Sequence, residues 1–175
     1  MLFKNMRNVI LSFLLLCSSN ILFAQFQWAE IGVSGLTCSA CSRSVEMSLQ
    51  KLVFVDSVIM DLEHTSAKVI FKKIALVEIK QIAQAVIDAG FSVTSLQAEF
   101  VFRNTLVNNN FCFSFEKNNY QFLLNEAKTL NGKTILFFIG AQYLSKKEVA
   151  KWKAKMNKAC TPDKSKKEQL YYVTL

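Results

Sequence analysis

The sequence predicts an α+β protein, and three observations carry that prediction. Hydrophobic periodicities follow a β-α-β-β-α-β order between residues 28 and 96, short aromatic-rich strands come after them, and one amphipathic helix lies near the C-terminus. From Trp28 to Val33 the pattern alternates, with Ala29, Ile31 and Val33 on one face, so a half-buried strand ends at Gly35. From Ala40 to Lys51, Cys41, Val45, Leu49 and Leu52 recur at helical spacing. Val58, Met60 and Leu62 then alternate with Ile59 and Asp61 in a second strand. Glu63-His64-Thr65-Ser66 is a polar turn, and Ala67 to Phe71 is a third strand. Ile79, Ile82, Val86 and Ala89 mark a second helix that Gly90 ends, and Phe91 to Leu96 supplies a fourth strand.

This order is the plan of a ferredoxin-like βαββαβ domain, an antiparallel sheet with both helices on one face. We assign it residues 25–97. Residues 98–175 predict a small β-rich domain with one helix, in the manner of a partly open barrel. Phe100 to Phe102, Phe111 to Phe115, Tyr120 to Leu124, Thr134 to Ile139 and Gln169 to Leu175 read as strands, and Asn131-Gly132 is a turn signal. Ser145-Lys146-Lys147-Glu148 fits a capping box, and behind it Val149, Trp152, Met156 and Cys160 form an apolar stripe. Pro162, the only proline, closes that region.

Residues 1–24 are excluded from the fold. Lys4 and Arg7 precede an apolar run from Val9 to Phe23, too short for a comfortable membrane span, and Ala24 offers a small residue for cleavage. The segment reads as a signal peptide, which places the mature protein in the periplasm or outside the cell. The alternative is a membrane anchor left uncleaved, because Leu22 is bulky at the −3 position. Outside the cytoplasm Cys38, Cys41, Cys112 and Cys160 are all candidates for pairing. A Cys112–Cys160 disulfide or two buried thiols are both open.

The net charge of +8 is uneven. Residues 25–97 hold six Lys or Arg against seven Asp or Glu, whereas residues 98–175 hold thirteen against six. The helix from Ser145 to Lys158 carries Lys146, Lys147, Lys151, Lys153, Lys155 and Lys158, which fits an anionic membrane surface, an acidic partner or a solvated face. An exported chain gives no reason to expect a nucleic-acid partner.

Chemistry concentrates at Gly35-Leu36-Thr37-Cys38-Ser39-Ala40-Cys41. The thiolate is the form of cysteine that binds metal, and Cys41 lies in the first turn of a helix, where unpaired N–H groups favour an anion. Two soft thiolates without a nearby His or carboxylate suit a soft ion of low coordination number, chiefly Cu(I). Hg(II) also accepts two thiolates. A closed structural Zn(II) site would want four ligands, so Zn(II) is a weaker candidate. His64, the only histidine, falls in the turn after the edge strand and is expected to be an exposed turn residue rather than a ligand. Phe91 begins the strand beside the first one and is expected to shield the dithiol.

The segment from Trp28 to Leu96 resembles the heavy-metal-associated (HMA) domain family, the module of copper chaperones and of the N-terminal tails of metal-pumping ATPases. Its G-M-T-C-x-x-C motif is matched by Gly35 to Cys41 with Leu36 at the Met position, its valine by Val45, and its A-G-[YF] by Ala89-Gly90-Phe91. The resemblance implies metal ligation by Cys38 and Cys41, and transfer to a metal-donor or metal-acceptor protein with its own dithiol through a shared three-coordinate intermediate. It implies no catalysis. Relatives that resemble zinc or cadmium transporters place Asp before the first cysteine. Thr37 stands there, which favours Cu(I). The family also implies that Leu36 packs beneath the loop, and Phe54 replaces a common Gly before the second strand. A thiol–disulfide oxidoreductase, or a soft-metal scavenger or sensor, would use the same pair. Thioredoxin-like oxidoreductases resemble one another in a proline facing the dithiol, and Pro162 is far along the chain.

Overall fold

The computed structural model describes residues 26–73, 75–157, 159–161 and 168–175. The expectations for the signal segment, Lys158 and Pro162 lie outside them. The first half runs β1 (Phe26–Ser34), α1 (Ser39–Gln50), β2 (Val55–Asp61), β3 (Ser66–Phe71) and α2 (Ile79–Asp88). The second continues β4 (Ser92–Val107), β5 (Cys112–Phe115), β6 (Asn118–Phe122), β7 (Lys128–Ile139), α3 (Lys146–Trp152) and β8 (Gln169–Thr174). The strands form one sheet in the order β2-β3-β1-β4-β7-β8-β6-β5. Every pair is antiparallel except β6 with β8.

Residues 26 to 107 contain the expected βαββαβ order. Ala29, Ile31 and Val33 of β1, with Ala67 and Val69 of β3, are fully buried beneath the helices. Val45 and Leu49 seat α1, while Ile79, Ile82 and Val86 seat α2. Gly90 takes a positive φ of 90° after α2, its N–H donating to the Ile87 carbonyl and that of Phe91 to Val86. That reverse pair of bonds is the Schellman arrangement expected of a C′ glycine. Gly32 is needed for another reason: a Cβ there would overlap Ser95 Oγ and Thr94 Oγ1, where β1 shifts register against β4.

Three expectations in the second half need correction. The strands read at 91–96 and 100–102 are one strand, β4, of 16 residues, and the boundary expected after residue 97 falls inside it. β4 pairs with β1 up to Phe100 and with β7 from Gln97 onward, so the sheet passes from one half to the other without a break. Asn131-Gly132 does not make a hairpin turn. Gly132 lies inside β7 opposite Phe102, with φ of 80°, beside a register shift at which Asn104 takes φ of 41°. Asn131 Oδ1 accepts the Asn104 N–H at 3.4 Å, so the Asn-Gly pair serves a β-bulge. Lastly, the helix predicted from Ser145 to Lys158 covers only Lys146–Trp152 and buries no residue. Ser145 caps it as expected, its Oγ accepting the Glu148 N–H. The apolar stripe finds no buried seat within the helix, and the Gln121 side-chain amide holds the following chain at Asn157 and Cys160 instead.

The later strands curl. Phe100 of β4 approaches Phe113 and Phe115 of β5 at 5.4 and 5.0 Å between ring centroids, although three strands separate β4 from β5 in the sheet. Phe26 of β1 reaches Phe115 and Tyr120, both at 5.7 Å. The edge strand β5 therefore returns over β1 and β4 without hydrogen-bonding to them, so the curl takes in β1 and is not confined to residues 98–175 as expected. One hydrophobic cluster runs from Val33 through this aromatic group to Val173.

Candidate metal centre

The site begins where β1 stops. Gly35 reverses the chain with φ of 93°, a conformation that costs a side chain dearly. The ring of Phe91 lies beside it, 3.7 Å from where a Cβ would stand. Leu36 turns inward and is only 6% exposed, as the family resemblance implied. Its burial ties the loop to the core, while Thr37, Cys38, Ser39 and Ala40 are left exposed. The Thr37 N–H donates back to the Gly35 carbonyl at 2.9 Å and tightens the bend. Phe54, the other departure from the family, is fully buried against Phe71, and its carbonyl accepts the Lys72 N–H.

Cys38 is the N-cap of α1, with extended backbone, and its sulfur accepts the Cys41 N–H at 3.2 Å. Its carbonyl accepts both the N–H of Ser42 at 3.1 Å and the Ser42 hydroxyl at 3.2 Å. Cys38 is exposed, Cys41 is half-buried, and the two sulfurs are joined as a disulfide with the Cα atoms 5.2 Å apart. The structure thus brings the two expected ligands together and holds them in the oxidised form. Adding two electrons and two protons yields two thiols at the open end of a helix. No carboxylate occupies the first turn of α1 to oppose a thiolate there.

Among the described residues no group of three His, Cys, Asp or Glu side chains surrounds a common point. His64 is exposed, and both its backbone N–H and its Nδ1 engage the Asp61 carboxylate, at 3.0 and 2.9 Å. The His64 N–H, then its ring, holds the Asp61 carboxyl below the ordinary value. The β2–β3 turn is anchored next to the end of β1, with the Thr65 carbonyl accepting the Val33 N–H at 2.8 Å, yet its histidine is committed to its own turn. A pair of soft donors with two coordination positions and no hard oxygen fits a linear or trigonal soft cation better than Zn(II).

Sequence reasoning missed Ser42. It is 7% exposed and holds the Cys38 carbonyl from one helical turn ahead. A hydroxyl four residues after an N-cap was the available signal.

The second cysteine pair is also joined, Cys112 to Cys160, with Cα atoms 5.9 Å apart. Cys112 is exposed and Cys160 buried. The Cys160 N–H donates to Gln121 Oε1 at 3.2 Å, and the Gln121 amide nitrogen donates to Asn110 and Asn157 Oδ1. This fully buried glutamine fastens the chain after α3 across β6. Of the lysines expected at a surface contact, Lys146, Lys147, Lys151, Lys153 and Lys155 are exposed, though Lys151 is paired with Glu148 and Lys155 with Asn125.

Comparison with known proteins finds relatives for part of the chain. The model of the heavy-metal-associated domain matches residues 30–92. Two Arabidopsis thaliana proteins are similar over part of the chain. Copper-transporting ATPase RAN1 is 39% identical over 70 residues, which is 40% of this chain and 7% of that protein. Probable copper-transporting ATPase HMA5 is 31% identical over 71 residues, 41% of this chain and 7% of that protein. The chain thus spans about 7% of the length of the curated relatives it matches. Among solved structures, a copper binding domain from HMA7, a P-type ATPase, is 34% identical, with 43% of this chain and 95% of that chain covered and a TM-score of 0.35. Oxidized MerP from Ralstonia metallidurans CH34 is 32% identical, with 39% and 97% covered and a TM-score of 0.36.

Proposed function

We propose that the chain is an exported carrier of a soft metal ion, with the reduced Cys38–Cys41 pair binding a single Cu(I) and passing it to the dithiol of a partner protein. The observation that carries this reading is the donor set: two cysteines at the N-terminus of α1, Cys38 exposed and Cys41 half-buried, with no third ligand beside them among the described residues. A site with two donors and an open side lets an incoming thiolate bind before an outgoing one leaves, so transfer needs no unfolding. The match of residues 30–92 to the heavy-metal-associated domain, and the similarity of about 70 residues to copper-transporting ATPases, support copper as the cargo. Hg(II) and Zn(II) are the competing ions. The two disulfides support export, because such bonds persist in oxidising compartments. In this reading the part that carries Cys38 and Cys41 exchanges the metal, and the part that carries α3 recognises a partner or an anionic surface.

Anaerobic titration of the reduced protein with Cu(I) tests this. We expect saturation at one equivalent, abolished in Cys38→Ser and in Cys41→Ser. Equal binding by the double variant would refute the assignment.

The disulfide between Cys38 and Cys41 favours one other reading, a thiol–disulfide oxidoreductase. That reading predicts catalytic turnover of a disulfide substrate in the presence of a reductant. Stoichiometric reaction without turnover would remove it.

A further inference from the structure

Each disulfide has one exposed cysteine, but the two differ in the burial of the other cysteine and in the length of chain that the bridge closes. Cys38 lies on an exposed loop, with Thr37, Ser39 and Ala40 around it exposed as well. The bridge it makes spans three residues, so opening it frees no long segment of chain. Cys160 is 6% exposed, its sulfur lies 3.9 Å from the Tyr120 carbonyl oxygen, and its backbone is held by the buried Gln121. A reductant can therefore reach the second bridge only from the Cys112 side. Attack there must expel the Cys160 sulfur as a thiolate into buried surroundings, where the anion lacks solvation and leaves poorly.

We infer that Cys38–Cys41 is a redox gate opened by a dithiol reductant, and that Cys112–Cys160 is a structural bridge which stays closed under the same conditions. One reductant thiolate attacks the Cys38 sulfur. A bond forms between reductant and Cys38, the Cys38–Cys41 bond breaks, and Cys41 leaves as a thiolate that takes a proton from solvent. The second reductant thiolate then attacks its own partner sulfur in the mixed disulfide, releasing Cys38. The reductant gives up two electrons and two protons and becomes a disulfide, and Cys38 and Cys41 become two thiols. The use of those thiols rests on the proposed function, since metal ligation requires the reduced pair. The gate itself does not depend on it. The partner so identified is a dithiol protein or small dithiol acting before metal loading, in the compartment that leaves Cys112–Cys160 oxidised.

The test uses the full oxidised chain and dithiothreitol as the dithiol probe. After each concentration of reductant, free thiols are alkylated and located by peptide mass mapping. We expect Cys38 and Cys41 to be labelled at a dithiothreitol concentration at least about tenfold below that which labels Cys112 and Cys160. Labelling of Cys112 and Cys160 first, or of all four together, would overturn the inference. A parallel Cu(I) titration of the partly reduced species separates the two readings. Selective labelling without copper binding would remove the proposed cargo and leave the gate standing.

Discussion

Ser42 shows how much of the site depends on a residue that binds nothing. Its hydroxyl and its backbone N–H both hold the Cys38 carbonyl, which fixes the N-cap and so the direction of the Cys38 sulfur. Ser42→Ala removes one of the two bonds. We expect a loss of about 1 kcal/mol in unfolding free energy by urea titration, with Cu(I) affinity falling while stoichiometry is unchanged. The two candidate ligands were legible in the sequence because the C-x-x-C spacing and the strand-to-helix transition agree. Ser42 was not, because a serine in the first turn of a helix looks like an ordinary polar residue until its burial is known. His64 was placed correctly by register alone, and Asp61 supplies the reason it stays in its turn.

Elements with a single pattern were the readable ones. β1, α1, β2, β3 and α2 were each announced by alternation or helical spacing, and Gly90 marked the end of α2. β4 was split because Gln97, Ala98 and Glu99 interrupt the aromatic pattern, although Ala98 and Glu99 are both buried. Pairing on both sides, not local pattern, makes that strand continuous. The Asn131-Gly132 signal was real, but positive φ serves a bulge as readily as a hairpin. The meeting of β5–β6 with α2 was invisible to local reading and gives a pH dependence. Burial raises the Glu116 carboxyl above its ordinary value, the Val77 N–H opposes this, and Glu78 adds a smaller repulsion. A raised carboxyl contributes stability fully below its unfolded value, near 4.5, and loses it as pH rises through the folded value. Unfolding titrations across the weakly acid range should therefore show wild-type stability declining with pH. The decline should be flatter in Glu116→Gln. An equal slope in both proteins would contradict this account.

At the scale of the molecule, the half that carries the Cys38–Cys41 pair and the β-rich half share a sheet and a core. Phe26 is the clearest link, since it begins β1 yet packs against Phe100, Phe115, Tyr120 and Phe138. Phe26→Ala should cost about 3–5 kcal/mol. Unfolding should remain one transition by tryptophan fluorescence and far-ultraviolet circular dichroism. Two separated transitions would show that the halves melt independently. Buried tyrosines line the same core, and burial pushes the Tyr171 phenol up to about 12 against the pull of the Lys80 N–H. These long-range ring contacts were beyond sequence reasoning, because alternation shows which face of a strand is buried but not what buries it.

The central claim is that Cys38 and Cys41 alone hold the cargo. Copper K-edge X-ray absorption on the reduced chain loaded anaerobically with one equivalent of Cu(I) tests it most directly. The account predicts a copper environment of sulfur donors only, lost in Cys38→Ser and Cys41→Ser and unaltered in His64→Ala. Nitrogen in the first shell that disappears with His64, or an unchanged sulfur environment in the double cysteine variant, would contradict it.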